Sequence, residues 1–122
     1  METIYLIIFH SGTYEDKRTR VIKAYKGENE ASEEMWRLNG DVGMIQGLCV
    51  AQRKLVDEWV SKNPSPEYET SRETYELWDN AKCDEMGRLG VLLGIEEAAE
   101  KLGIGWNDIE STFYRVQIVE LE

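Results

Sequence analysis

Met35, Leu38, Val42, Ile45, Cys49, Gln52, Val56 and Trp59 recur at alternating steps of three and four residues. No other feature of the chain restricts its folding so strongly. That spacing puts them on one face of a single helix, a heptad-like seam that requires a partner helix to bury it. Asn29 or Ser32 is expected to cap this helix, with Glu33 and Glu34 favourable in its first turn. Asn63-Pro64-Ser65-Pro66 stops it and forms a link, because proline cannot continue a helix. The partner then starts at a capping box, Thr70-Ser71-Arg72-Glu73. It runs through Tyr75, Trp78, Met86, Leu89, Leu92, Leu93 and Ala99 to Leu102, with Gly103 at C′ and Ile104 placed for the accompanying hydrophobic contact.

The two ends of the chain read as strands. Thr3–Phe9 is β-branched and aromatic, and its near-continuous apolarity predicts a central strand covered on both faces. His10–Asp16, HSGTYED, turns the chain: Gly12 allows positive φ, and Ser11 and Asp16 can bond the turn backbone. Arg18–Tyr25 returns as a second strand, closed by Gly27. After the turn Gly105-Trp106-Asn107-Asp108, Thr112–Leu121 gives a third strand expected to pair with the hairpin. The predicted fold is α+β, ordered ββααβ: a small antiparallel sheet built from both chain ends, carrying a long antiparallel helical hairpin. Residues 1–122 are read as one domain. So thin a sheet has exposed edges and a two-helix hairpin buries little alone, so association of copies into a homo-oligomer is expected.

Gly40, Gly43 and Gly47 are spaced GxxGxxxG, and Gly87, Gly90 and Gly94 repeat the spacing in the second helix. An interior glycine costs about 1 kcal/mol against alanine, so six require a reason. Close packing of the two helices at mid-length is one reading. A break around Gly40-Asp41 and a cleft where a ligand meets bare backbone are the others.

Charge narrows the function. The chain carries a net −10, yet residues 17–26, KRTRVIKAYK, hold five basic residues and no acid, leaving −15 on the remainder. That balance argues against general binding of DNA or of anionic membrane, both of which need an excess of Lys and Arg. It permits a basic pocket in an acidic body, or an acidic surface directed at a basic partner. The longest apolar run, Ile4–Phe9, is too short to span a bilayer, and Met1-Glu2-Thr3 lacks the positive start of a signal peptide. Cys49 and Cys83 read as reduced, buried thiols of a cytosolic protein rather than a disulfide framework.

Nothing in the sequence asks for catalysis. His10 is the single histidine, two distant cysteines make no zinc site alone, and neither a nucleophile elbow nor a Walker loop is present. No catalytic residue, metal or cofactor is therefore expected. The basic strand has two readings. Lys and Arg on an edge strand discourage unwanted pairing. Alternatively Arg18 and Arg20, on one strand face, offer guanidinium forks to phosphates. In that case the Ser11-Gly12-Thr13 loop would supply backbone amides and hydroxyls in the manner of an anion nest. Arg115 of the third strand, with Phe113 and the loop residue Tyr14, would add charge and stacking surface for a nucleotide.

The opening IYLIIFHSGTYEDKRTRVIKAY, the capped helix after it and the terminal strand FYRVQIVELE resemble small phage and prophage accessory proteins. These open on a YLI-x-F-x-S-G-x-Y-[ED]-D hairpin and close on a short Tyr-containing strand. The chain is similar in this way to the phage anti-Thoeris sponges, non-enzymatic oligomers that sequester the cyclic ADP-ribose-type signal of bacterial TIR-domain proteins. The resemblance implies anti-defence by sequestration in the host-cell cytosol, with a small nucleotide signal as partner. The competing expectation is an acidic inhibitor that mimics nucleic acid and blocks a host defence complex.

Overall fold

In the computed structural model, residues 2–13, 17–67 and 71–122 are described. Strands β1 (Glu2–Ser11) and β2 (Arg18–Tyr25) are followed by helices α1 (Glu28–Lys62), α2 (Arg72–Leu93) and α3 (Ile95–Lys101). A short 3-10 helix, Trp106–Ser111, then leads into strand β3 (Phe113–Leu121). The fold is α+β, with an antiparallel sheet in the order β2-β1-β3, so the two chain ends supply the sheet and the first strand is its centre.

The chain divides into two compact units, Met1–Gln46 with Ala99–Glu122, and Gly47–Ala98. In the first, Ile7, Val42 and Ile109 are the largest fully enclosed side chains. β1 is buried continuously from Ile7 to Ser11 but only half-buried before that, so the expected cover on both faces holds for its second half. The β1–β2 register shifts between Ile7 and Ile8. Ile7 pairs with Lys23 and Ile8 with Val21, so Ile22 is the extra residue of a bulge. α3 ends as expected. Gly103 adopts φ 69°, its amide donates to the Glu100 carbonyl, and the Ile104 amide donates to Ala99. These two bonds make a Schellman motif, with Ile104 and Ala99 both buried beneath it.

The second unit pairs the later part of α1 with α2. Gln52 Nε2 donates to the Met86 carbonyl at 2.8 Å, and Trp78 Nε1 donates to the Asn63 carbonyl at 2.7 Å. Rising numbers on one helix meet falling numbers on the other, so the helices run antiparallel. Trp59 and Trp78 meet with ring centroids 6.2 Å apart, and Lys82 lies over the Trp78 ring. No residue of the predicted α1 seam is exposed, as a packed stripe requires.

Three details differ from expectation. α1 begins at Glu28, ahead of either proposed cap. The residue preceding α2 is Ser71, whose hydroxyl donates to Thr74 Oγ1 at 2.6 Å and makes no backbone cap; Thr70 lies outside the described residues. The second helix does not run unbroken to Leu102. Gly94 takes φ 68° and closes α2 before α3 starts, since a left-handed residue cannot sit inside a right-handed helix.

The thiols expected to be buried are not: Cys49 is half-buried and Cys83 is exposed. The glycines are also corrected. α1 is continuous through Gly40-Asp41. A Cβ added at Gly40, Gly43, Gly47 or Gly87 would meet nothing within 4 Å. These four therefore do not serve close packing within the chain; at Gly90 an added Cβ would press on Gln52 Nε2 at 3.2 Å.

Candidate functional site

The site is built where β1 runs out of the sheet. Gly12 takes φ 87°, which turns the chain at the end of the buried segment. The turn is fastened to the 3-10 helix by hydroxyls. Thr112 Oγ1 donates to the Asp108 carbonyl at 2.7 Å, so its proton is committed, and Ser11 Oγ donates to Thr112 Oγ1 at 2.8 Å. The Gly12 amide donates to Ser111 Oγ at 2.9 Å, and that hydroxyl donates in turn to Asp108 at 3.1 Å. A buried chain of this kind holds the loop because each polar group would cost free energy if left unpaired.

α1 supplies the opposite wall through two amides. Asn39 Nδ2 donates to the Tyr114 carbonyl at 2.9 Å and Asn39 Oδ1 accepts from the Tyr114 amide at 2.8 Å. The side chain thus imitates a neighbouring strand at the open edge of β3. Gln46 Nε2 donates to the Ile109 carbonyl at 3.0 Å. Between these walls lies an open groove of about 820 Å³, whose lining includes Gly12, Thr13, Lys17, Asn39, Gln46, Glu110 and Phe113.

Of the residues expected to bind a ligand, Gly12 and Phe113 line this groove. Of the expected anion nest, the Gly12 amide and the Ser11 hydroxyl are already engaged within the fold, while Thr13 lines the groove. Tyr14 lies outside the described residues.

The convergence of Arg18, Arg20 and Arg115 is overturned. Strand alternation decides it: Arg18 pairs with Ser11 and Arg20 with Phe9, whereas Arg115 pairs with Ile8. Odd and even residues of β1 point to opposite faces, so Arg115 projects from the face opposite the other two. All three are exposed and none lines the groove. Arg20 instead lies over the Phe9 ring, 4.8 Å from its centroid. Arg115 Nε donates to His10 Nε2 at 2.7 Å. The basic residue the groove does hold is Lys17. It precedes β2, so strand alternation does not assign it to a face.

His10 is buried, and its ring lies parallel to the half-exposed Phe113 ring, 4.6 Å away centre to centre. With Nε2 accepting from Arg115, the ring proton sits on Nδ1, which is buried without a partner. Burial first, then the positive charges of Arg115 and Lys17, push the imidazole below its ordinary pKa. His10 is thus a neutral ring that backs Phe113.

No known protein family, curated protein or solved structure matches the chain. Among the described residues no three His, Cys, Asp or Glu side chains gather to hold a metal ion, and no helix is long and apolar enough to cross a membrane.

Sequence reasoning missed Asn39, Gln46 and the place of Lys17. A signal existed for the amides: Asn is a poor residue for a helix interior and Gln46 flanks the apolar seam. No signal located Lys17, because the path of the loop decides where it points.

Proposed function

We propose that the protein is a non-catalytic binder that sequesters a small phosphorylated nucleotide signal of the cyclic ADP-ribose type. One observation carries this reading: a single groove is lined by both Lys17 and the half-exposed Phe113. Its volume falls within the roughly 300–1,000 Å³ usual for small-ligand sites. Lys17 supplies charge for a phosphate, and Phe113, backed on one side by His10, offers its other face to a base. Glu110 supplies a carboxylate suited to ribose hydroxyls or an adenine amine. Sequestration needs no further chemistry, since an abundant protein that binds tightly lowers the free signal by mass action. Ser11 and Asp108 hold the groove's shape through their hydrogen bonds to Thr112, which lines it.

The test is thermal unfolding with cyclic ADP-ribose isomers. A ligand bound to the native state alone raises Tm by mass action, and heating should then release it unchanged. Lys17→Ala should weaken binding about tenfold to a hundredfold, the value of one charge-assisted hydrogen bond. Arg18→Ala with Arg20→Ala should leave it unaltered. No shift with any nucleotide, together with salt-sensitive capture of a basic host protein, would replace this reading with the acidic mimic. Appearance of a product would replace both with an enzyme.

A further inference from the structure

We propose that α2 carries a second heptad seam, through which two copies of this chain pair antiparallel. Leu77, Ala81, Asp84, Arg88 and Val91 follow one another at steps of four, three, four and three. They form one stripe on α2, about a third of a turn away from the residues that meet α1. All five are exposed, Leu77 to 70% and Val91 to 83%.

The stripe is complementary to itself. Laid antiparallel about a two-fold axis at Met86, Asp84 of one copy faces Arg88 of the other, and the same pair forms a second time by symmetry. Ala81 then faces Val91 of the other copy, and Leu77 lies opposite position 95, just past the end of that copy's α2. Arg88 already holds Glu85 of its own chain through Nε at 3.1 Å and a second nitrogen at 2.6 Å. Asp84 has no ion pair among the described residues. Gly87, next to the axis, has open space where a Cβ would stand, so the two backbones can approach closely there.

The charges at the centre of the stripe identify the occupant as a second copy. The helical unit is where cover is missing: among its described residues Val56, Leu89 and Ile95 are the buried ones. Each chain carries −10, so copies must meet where opposite charges can pair, and the centre of this stripe provides that.

Sedimentation equilibrium of the full chain tests the proposal. The expected result is twice the chain mass at micromolar concentration. Leu77→Glu with Val91→Glu should give single chains of unchanged helix content. Asp84→Arg, or Arg88→Asp, should weaken association about tenfold or more by setting like charges against each other twice. Combining the two reversals should restore it, an outcome that general damage to α2 cannot produce. A single-chain mass at every concentration overturns the proposal, and so does an oligomer indifferent to these reversals. Neither outcome bears on the groove.

Discussion

At His10 the proton-bearing nitrogen has no acceptor, and its other nitrogen is held by Arg115. The imidazole therefore resists protonation in the folded chain more than in the unfolded one, where its ordinary value is 6.5. Well above 6.5 the ring is neutral in both states and stability is undiminished. As pH falls below 6.5 the unfolded chain takes up the proton first, and stability declines until the lower folded-state value is reached. Urea unfolding across that range should show a steeper acid loss for the native chain than for His10→Gln. Parallel curves would mean that the ring escapes its surroundings before it titrates. A second residue-scale expectation concerns Ile7, which is fully enclosed. Ile7→Ala should cost about 2–5 kcal/mol by removing buried methyl groups and leaving a cavity. The basic residues mark where the sequence ceased to be informative. Identity and strand placement of Arg18, Arg20 and Arg115 were legible, but their faces depended on register, and a register cannot be counted from one strand alone.

Among the elements, the long helix and the three strands were readable because their signals are periodic. β2 begins and ends where expected, and α1 stops at the Asn63-Pro64 link. The unforeseen parts are single conformations. Gly94 breaks the second helix with a positive φ that neither spacing nor composition announces, since Gly87 and Gly90 of the same triplet sit inside α2. The glycines of α1 give a prediction at this scale. An added Cβ at Gly40 or Gly43 meets open space and both residues are helical, so each change to alanine should stabilise the protein by about 0.5–1 kcal/mol. Chemical denaturation measures it directly. A loss of stability would show that a neighbouring molecule occupies that space. Gly103→Ala should act in the opposite direction, because φ 69° strains any residue with a Cβ.

For the molecule as a whole, burial is unevenly divided. The sheet-bearing unit holds most of the buried side chains, while the Gly47–Ala98 unit holds few. Native-state amide exchange should follow this division, slowest in the second half of β1 and much faster in α2 at low protein concentration. Raising the concentration should slow exchange in α2 if copies pair there, with β1 little changed. Exchange at one rate throughout would mean that the two units open together.

The fastening of Ser11 to Thr112 spans 101 positions of sequence. Contacts so remote in the chain form late, because the entropy of closing the loop must be met before the bond returns anything. Until β3 arrives, the central strand has one side unpaired, and that side belongs to IYLIIF, an uncharged stretch rich in β-branched and aromatic residues. Such a segment is the kind that recruits foreign strands into aggregates. The hazard for a newly made chain thus falls in the interval between completion of the hairpin and arrival of its last strand. Substitutions that delay β3 should lower soluble yield well before they lower the melting point.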